Sequence, residues 1–521
     1  ANSIAMTMAN REPAIKQVYQ SWQRTSALSA GLQSKLMQNQ DLKASLIEET
    51  PWLNAAKNET ERMQKLGKLF ETKKMKDELS ETFDRLKDMQ TYEGGWPWFK
   101  GMQANLYITQ TIVTGFGKMQ KMGVDITAYM PMIEKAINYL DNQYVQEYKQ
   151  NEVPFFGTYH LQYLYCKRFF PETGFKPEHE MLKFFIKEAE LHWSSNTLLN
   201  QAQLALALHT LKPDSKIPQL ILRGFNESAK QNDEMGMYWP ENQGGFYWYQ
   251  APVETQAAII ELYTDLGKDP AKIREQQIWL LRQKQTQSWR SSRSTADACY
   301  ALLSTGITLS SNQKIVVSVG AQTLTPETTE AGSRYFRQDI PVATIQQKSA
   351  DIAVSAASDG FAYGAVYWQY FENNDQVESA GVGLQIEKKL YKVIQTAEGI
   401  RKAEIKPGDT IGIGDQIEVV LFLSCDRNLE FVQVKDNRAA GTEASSVLSS
   451  YQWKNGLSYY MSTRDASSSF FIDHLAKGTY QLSYIIKAEQ AGSFDCGFAI
   501  AQCMYAPEYA ANSSSVRIIV R

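Results

Sequence analysis

The sequence predicts a multidomain chain, α then β: an α/α toroid followed by β-sandwich domains. Three observations predict it. Apolar residues recur at helical spacing up to about residue 305; beyond that point they turn β-branched or alternate with polar ones; and within the helical half a turn, an aromatic cluster and a small-residue helix recur together. A run of helices followed by a run of strands, without mixing, argues for separate domains. At 521 residues the chain also exceeds the size at which one hydrophobic core keeps growing.

The elements follow in order. Met63, Leu66, Leu69 and Phe70, then Met75, Leu79, Phe83 and Leu86, draw an apolar stripe along a helix over 61–89. The recurring theme comes next. Gly94-Gly95-Trp96-Pro97-Trp98-Phe99 precedes Tyr107-Ile108-Thr109, and Gly244-Gly245-Phe246-Tyr247-Trp248-Tyr249 precedes Glu254-Thr255-Gln256-Ala257-Ala258. Shorter copies run from Trp193 to Asn196 and the helix Leu204-Ala205-Leu206-Ala207-Leu208, and from Trp289 to Thr295-Ala296-Asp297-Ala298, with Thr109, Asn196 and Thr295 read as helix openers. Small residues let neighbouring backbones approach, which suits an inner ring, while amphipathic helices such as 61–89 suit an outer one. Each hairpin would bury its face only by stacking on its neighbours, with the aromatic turns gathered at one end. An open α-solenoid is the architectural rival.

From residue 307 to 376 four strands are expected, Ile315–Val319, Tyr335–Ile340, Asp351–Ala356 and Tyr363–Phe371, which is few for a closed sandwich. The polar break Asn373-Asn374-Asp375-Gln376 marks the next boundary. Beyond it Pro407-Gly408-Asp409 and Asn455-Gly456 read as turns, and Lys477-Gly478 introduces an alternating run from Thr479. The expected domains are therefore 1–306, a toroid; 307–376, a partial β-sandwich with an apolar face or edge to cover; and 377–521, a β-sandwich.

Composition narrows the function. With 43% hydrophobic and 21% charged residues the chain is ordinary globular protein. With 54 Lys+Arg against 57 Asp+Glu, no field draws it to nucleic acid. No apolar run reaches the ~20 residues a membrane span needs. Among five cysteines, Cys166 and Cys299 sit in apolar helical runs as small hydrophobes, and Cys425 can pair with Cys496 or Cys503. His-Glu-x-x-His, Cys-x-x-Cys, Gly-x-Ser-x-Gly, phosphate-loop and dinucleotide patterns are all missing, so neither a metal site, a cofactor nor a catalytic residue is expected.

A toroid can hold paired carboxylates among aromatics, as glycosidases do. Glu93, Glu241, Glu254 and Asp297 lie nearest the aromatic turns, each with a surface or capping role as the plainer reading. Trp96, Trp98, Phe99, Trp248 and Tyr249 are candidates for closing helical hairpins and packing on a neighbouring domain, with a sugar platform as the alternative. Arg290 and Arg293 are read as solvated. Three classes stay open: a non-enzymatic trap, a toroid carbohydrate-active enzyme, and a surface module that binds carbohydrate or protein.

The segments Glu93-Gly94-Gly95-Trp96-Pro97-Trp98-Phe99-Lys100-Gly101, Tyr107-Ile108-Thr109 and Thr295-Ala296-Asp297-Ala298-Cys299-Tyr300-Ala301-Leu302 resemble the thioester domain of bacterial alpha-2-macroglobulins. Phe471-Ile472-Asp473-His474-Leu475-Ala476-Lys477-Gly478-Thr479-Tyr480 and Met504-Tyr505-Ala506-Pro507-Glu508 resemble the final macroglobulin-type domain of that family. The resemblance spans nearly the whole chain and is strongest to the Bacteroidetes branch. It implies a thioester-domain-like, terpenoid-cyclase-like toroid, then half of a CUB-like domain at 307–376, then a macroglobulin-type sandwich. It implies a periplasmic or cell-envelope protease inhibitor that traps target proteases and is not an enzyme. In the family a Cys-x-Glu-Gln thioester, unmasked by cleavage of a bait region, captures the attacker. This sequence has no such motif. Ala1-Asn2-Ser3-Ile4-Ala5 resembles the helix that follows the motif, so the thioester, the bait region and the earlier macroglobulin-type domains are expected upstream. The resemblance also implies that Met504 and Tyr505 shield the thioester from water.

Overall fold

In a computed structural model the described residues are 7, 72–150, 156–244, 250–286, 289, 291–305, 315–324, 338–356, 364, 366, 368, 372, 373 and 376–521. Several sequence expectations lie outside them: the helix from 61 to 71, the start at Ala1–Ala5, the turn 245–249 with Trp248, Arg290, and residues 335–337. The described residues divide into two compact units, one of residue 7 and those within 72–282 and 289–356, the other comprising 283–286 and those from 364 to 521.

The first unit carries ten described helices, apart from the last four residues of α9, which fall in the second: α1 Thr72–Met89, α2 Leu106–Lys121, α3 Met130–Lys149, α4 Thr158–Lys167, α5 Glu180–Leu191, α6 Leu198–Leu211, α7 Ile217–Ser228, α8 Pro252–Leu262, α9 Pro270–Thr286 and α10 Ser292–Ser304. They alternate in role. α2 packs on α4, α4 on α6, α6 on α8 and α8 on α10. α10 then returns to α2 through Lys118–Asp297, Arg293–Tyr107 and the buried trio Met122, Tyr300 and Leu303. The even-numbered helices thus close a ring, which an open solenoid would not do. Their sequences show why: the middle of α6 is apolar on every side, with Leu204, Ala205, Leu206, Ala207 and Leu208 wholly buried. A helix buried all round needs no polar face, and each such Leu contributes roughly 1.5–3 kcal/mol of burial. The odd-numbered helices bury one face, as α7 does with Ile221, Leu222 and Phe225.

Local chemistry sets the helix starts. Asn105, Thr197 and Ser291 cap α2, α6 and α10 by accepting from Ile108, Asn200 and Ser294 N–H. Asn105 and Ser291 lie four residues upstream of the expected openers Thr109 and Thr295, and Thr197 lies one residue downstream of Asn196. Thr109 instead accepts from the Trp96 N–H at 2.9 Å and donates to the Asn105 carbonyl, tying the aromatic turn to α2. A two-stranded hairpin, β1 Lys230–Asn232 with β2 Gly236–Tyr238, interrupts the helices and was not anticipated. Its Gly236 has φ +66 and abuts the backbone of Glu275, a position closed to a side chain.

β3 Ile315–Val319, β4 Gln322–Leu324 and β5 Ile352–Ala356 form a three-stranded sheet in the order β4-β3-β5. Val316, Ile352 and Val354 are exposed on it. Of the other two strands expected here, residues 338–340, Gly364, Val366 and Trp368 lie outside any strand.

The second unit is a β-sandwich. β7 Leu384–Thr396, β8 Gly399–Glu404, β10 Gln416–Cys425, β12 Thr442–Ala444 and β16 Gly478–Ala488 make one sheet in the order β12-β16-β10-β7-β8. β6 Ala380–Gly381, β11 Leu429–Asn437, β13 Ser450–Lys454, β14 Leu457–Thr463, β15 Ser467–Leu475, β18 Ala499–Cys503 and β19 Ala510–Asn512 make the other, ordered β13-β14-β15-β11-β18-β19-β6. β9 Thr410–Ile411, β17 Gly492–Asp495 and β20 Arg517–Val520 form a third, small sheet. Asn455-Gly456 joins β13 to β14 with both residues at positive φ, as a two-residue hairpin turn requires. Alternation puts Ile417, Val419, Leu421 and Leu423 of β10 against Val432 and Val434 of β11 in one core.

Candidate functional site

The densest polar constellation among the described residues sits where the helical ring closes. Glu261, at the end of α8, is buried and accepts from the Tyr165 hydroxyl at 2.5 Å, the Tyr300 hydroxyl at 2.6 Å, Lys121 at 3.3 Å and the Arg168 guanidinium. α8 continues into a π-turn over Tyr263–Gly267, which presents Asp265 to Lys121 at 2.7 Å and Arg168 at 3.2 Å. Beside it Lys118 donates to Asp297 at 2.6 Å and lies over the Tyr300 ring, while Arg168 lies over Tyr165 and Phe169. Four inner helices meet through these charges.

Electrostatics assigns this cluster a holding role. Burial pushes the Glu261 carboxyl upward, but Arg168, Lys121, Lys118 and the Tyr165 hydroxyl outweigh it and hold the group at about 2. Burial, then the Glu261 charge, drives the Tyr165 and Tyr300 phenols well above their ordinary range. The shifted groups move away from neutrality, where a general acid or base needs to be poised. The thiols behave likewise. All five cysteines are free, so the pairing of Cys425 with Cys496 or Cys503 is not formed. Burial pushes Cys166 and Cys496 up to about 12 and Cys503 to about 11, and raises Cys299 and Cys425. A thiol held protonated is a poor nucleophile.

The nominated carboxylates separate. Glu254 is buried and accepts from the Ser294 hydroxyl at 2.8 Å; Asp297 pairs with Lys118; Glu93 and Glu241 are exposed. Arg293, read as solvated, donates to the Tyr107 hydroxyl at 2.9 Å. Of the aromatic turn, Trp96 is a core residue whose indole N–H donates to the Leu86 carbonyl at 2.8 Å. Trp98, 53% exposed, stacks on Tyr107 with ring centroids 6.0 Å apart, and Phe99 is 70% exposed. Trp248 lies outside the described residues.

In the sandwich, Met504 follows β18 and is buried, and its N–H donates to the Phe431 carbonyl at 2.9 Å. Tyr505 is half-buried with its ring edge-on to Phe431, centroids 4.9 Å apart. The loop they open is closed by the Cys503 N–H donating to the Tyr509 carbonyl at 2.9 Å. Tyr509 is held in turn by Arg427, which donates to its hydroxyl at 2.9 Å. Sequence reasoning named Met504 and Tyr505 but missed Phe431, whose signal is conformational, and missed Glu261, whose signal was a lone carboxylate inside the apolar run Ala257–Leu262.

Residues 383–508 match the family model described as the bacterial alpha-2-macroglobulin MG10 domain. An alpha-2-macroglobulin homolog from Nostoc sp. is 23% identical over 291 residues, 52% of this chain and 15% of the relative. The chain thus spans about a seventh of that relative's length. Escherichia coli alpha-2-macroglobulin activated by porcine elastase aligns over 86% of this chain and 39% of its own at 16% identity, with a TM-score of 0.40. Native Escherichia coli alpha-2-macroglobulin from domain MG7 to the C-terminus aligns over 97% of this chain and 75% of its own at 15% identity, with a TM-score of 0.32.

Proposed function

We propose that this chain, whose residues 383–508 belong to the bacterial alpha-2-macroglobulin MG10 domain family, is the non-catalytic closing part of a protease trap. The MG10 match is the observation that carries the reading. In it the helical ring is thioester-domain-like, the sheet β4-β3-β5 within 307–376 is half of a CUB-like domain, and residues 377–521 are the final macroglobulin-type sandwich. The exposed Ile352 and Val354 lie on one face of that sheet and support an incomplete sandwich, since an apolar sheet face asks for a cover. Met504 and Tyr505 are the apolar shield of a thioester that lies outside this sequence, and the pinned loop that carries them supports that role. The exposed turn residues Trp98 and Phe99, with Trp248, are interface residues of the ring. The partners are target proteases and upstream macroglobulin-type domains, and the place of work is the periplasm or cell envelope. Among the described residues no helix is long and apolar enough to cross a membrane.

The test is capture. The parent protein, extended upstream, is expected to suppress a protease's cleavage of large protein substrates while sparing small peptide substrates. Proteases that keep full activity on both would overturn the proposal. This chain alone is expected neither to take up methylamine nor to turn over substrate, because it has no Cys-x-Glu-Gln.

A further inference from the structure

We infer that Phe431 is a positioning residue that holds the Tyr505 ring, and the inference rests on the reading of Met504 and Tyr505 as a shield. Phe431 has φ +59 inside strand β11. A bulky aromatic residue in the left-handed region is a steric outlier; the other described residues found there are glycines, Asn455 and Lys268. The surroundings hold it there. The ladder with β15 runs from Glu430 opposite His474 to Val432 opposite Ile472 and skips Phe431. Leu429 and Val432, three residues apart, both lie in the core, so the turn at Phe431 resets which face of the strand points inward.

That reset is fastened to the shield loop at two successive carbonyls. Glu430 C=O accepts from the Cys503 thiol at 3.3 Å, and Phe431 C=O accepts from the Met504 N–H at 2.9 Å. The Phe431 ring then meets Tyr505 at 66°, the edge-on arrangement aromatic pairs prefer. Glycine would adopt this backbone without the steric penalty. A phenyl group there supplies what glycine lacks: a surface against which Tyr505 is held.

Two variants keep the backbone and remove the ring, Phe431→Gly and Phe431→Asn, and Phe431→Tyr restores it. The readout is nitration of Tyr505 by tetranitromethane, resolved by peptide mass mapping, alongside the melting temperature. Both ring-less variants are expected to nitrate Tyr505 several-fold faster than the wild type. Phe431→Gly is expected to melt no lower than the wild type, and Phe431→Tyr to return the nitration rate to the wild-type value. Nitration at the wild-type rate in both ring-less variants would overturn the assignment. So would a Phe431→Gly variant that melts as low as a core-cavity mutant, which would mark Phe431 as ordinary packing. The shield reading fails on a different measurement: a thioester-bearing parent whose Tyr505→Gly variant reacts with methylamine no faster than wild type.

Discussion

Glu261 shows how one residue can carry the closing of a ring. Replacing it with alanine leaves Arg168 buried without its closest carboxylate, and breaking one side of a buried pair costs about 3–5 kcal/mol. Urea unfolding at pH 7, followed by tryptophan fluorescence, should show that loss for Glu261→Ala. The pH dependence has a defined sign. The carboxyl of Glu261 is lowered to about 2 in the folded state, so its stabilisation is complete above the ordinary glutamate value and drains away as pH falls through that value toward 2. Glu261→Gln should flatten the acid limb of the stability profile over that window; an unchanged limb would show that other carboxylates set it. Gly117 is a second single-residue constraint, because a Cβ there would overlap the Phe169 ring. Gly117→Ala is expected to destabilise by about 1–3 kcal/mol through overpacking, measurable as a lower urea midpoint at unchanged slope. Sequence reasoning passed over Glu261, although a charge in an apolar run needs a partner, and Arg168 as that partner carries no local signal at all.

At the scale of elements, the two sheets of the sandwich are bridged by a buried ion pair. Lys388 on β7 meets Asp436 on β11 at 2.7 Å, and Tyr484 on β16 donates to the same carboxylate at 2.6 Å. Lys388 also donates to the carbonyls of Asn437 and Cys496, at 2.7 and 3.0 Å. Lys388→Ala strands Asp436 in the core, for an expected loss of about 3–5 kcal/mol, whereas the double variant Lys388→Met with Asp436→Leu should lose much less, because it removes both charges. Chemical denaturation of the three proteins decides it: a double variant as unstable as the single one would mean that the network does more than satisfy itself. The strand parity was readable, since Lys388 takes the inward phase of Leu384, Ile386 and Leu390. The helix starts were read less well. Thr109, Asn196 and Thr295 carry the right side chains, but Asn105, Thr197 and Ser291 stand where the first free N–H groups need an acceptor.

Across the whole molecule, the helical and β units have separate hydrophobic cores. Calorimetry is therefore expected to resolve two transitions, with Glu261→Ala lowering one and Lys388→Ala the other. A single transition moved equally by both variants would show that the units unfold as one. The division into a helical and a β part was legible because the apolar period changes from helical to alternating near residue 305, and periodicity is a local property. The hairpin at 230–238 was not, because three-residue strands are too short to show a period.

By itself the sequence determined the succession of helices and strands, the turn at Asn455-Gly456 and the lack of a thioester motif. Those features depend on neighbours within a few positions along the chain. Only the tertiary structure decided that the inner helices close a ring, that Glu261 answers Arg168 across 93 positions and Lys118 answers Asp297 across 179, and that Phe431 stands behind Tyr505. A side chain's partner across such separations is chosen by which surfaces the packed helices and sheets bring together. The energy of a buried charge or a strained backbone depends on that encounter alone.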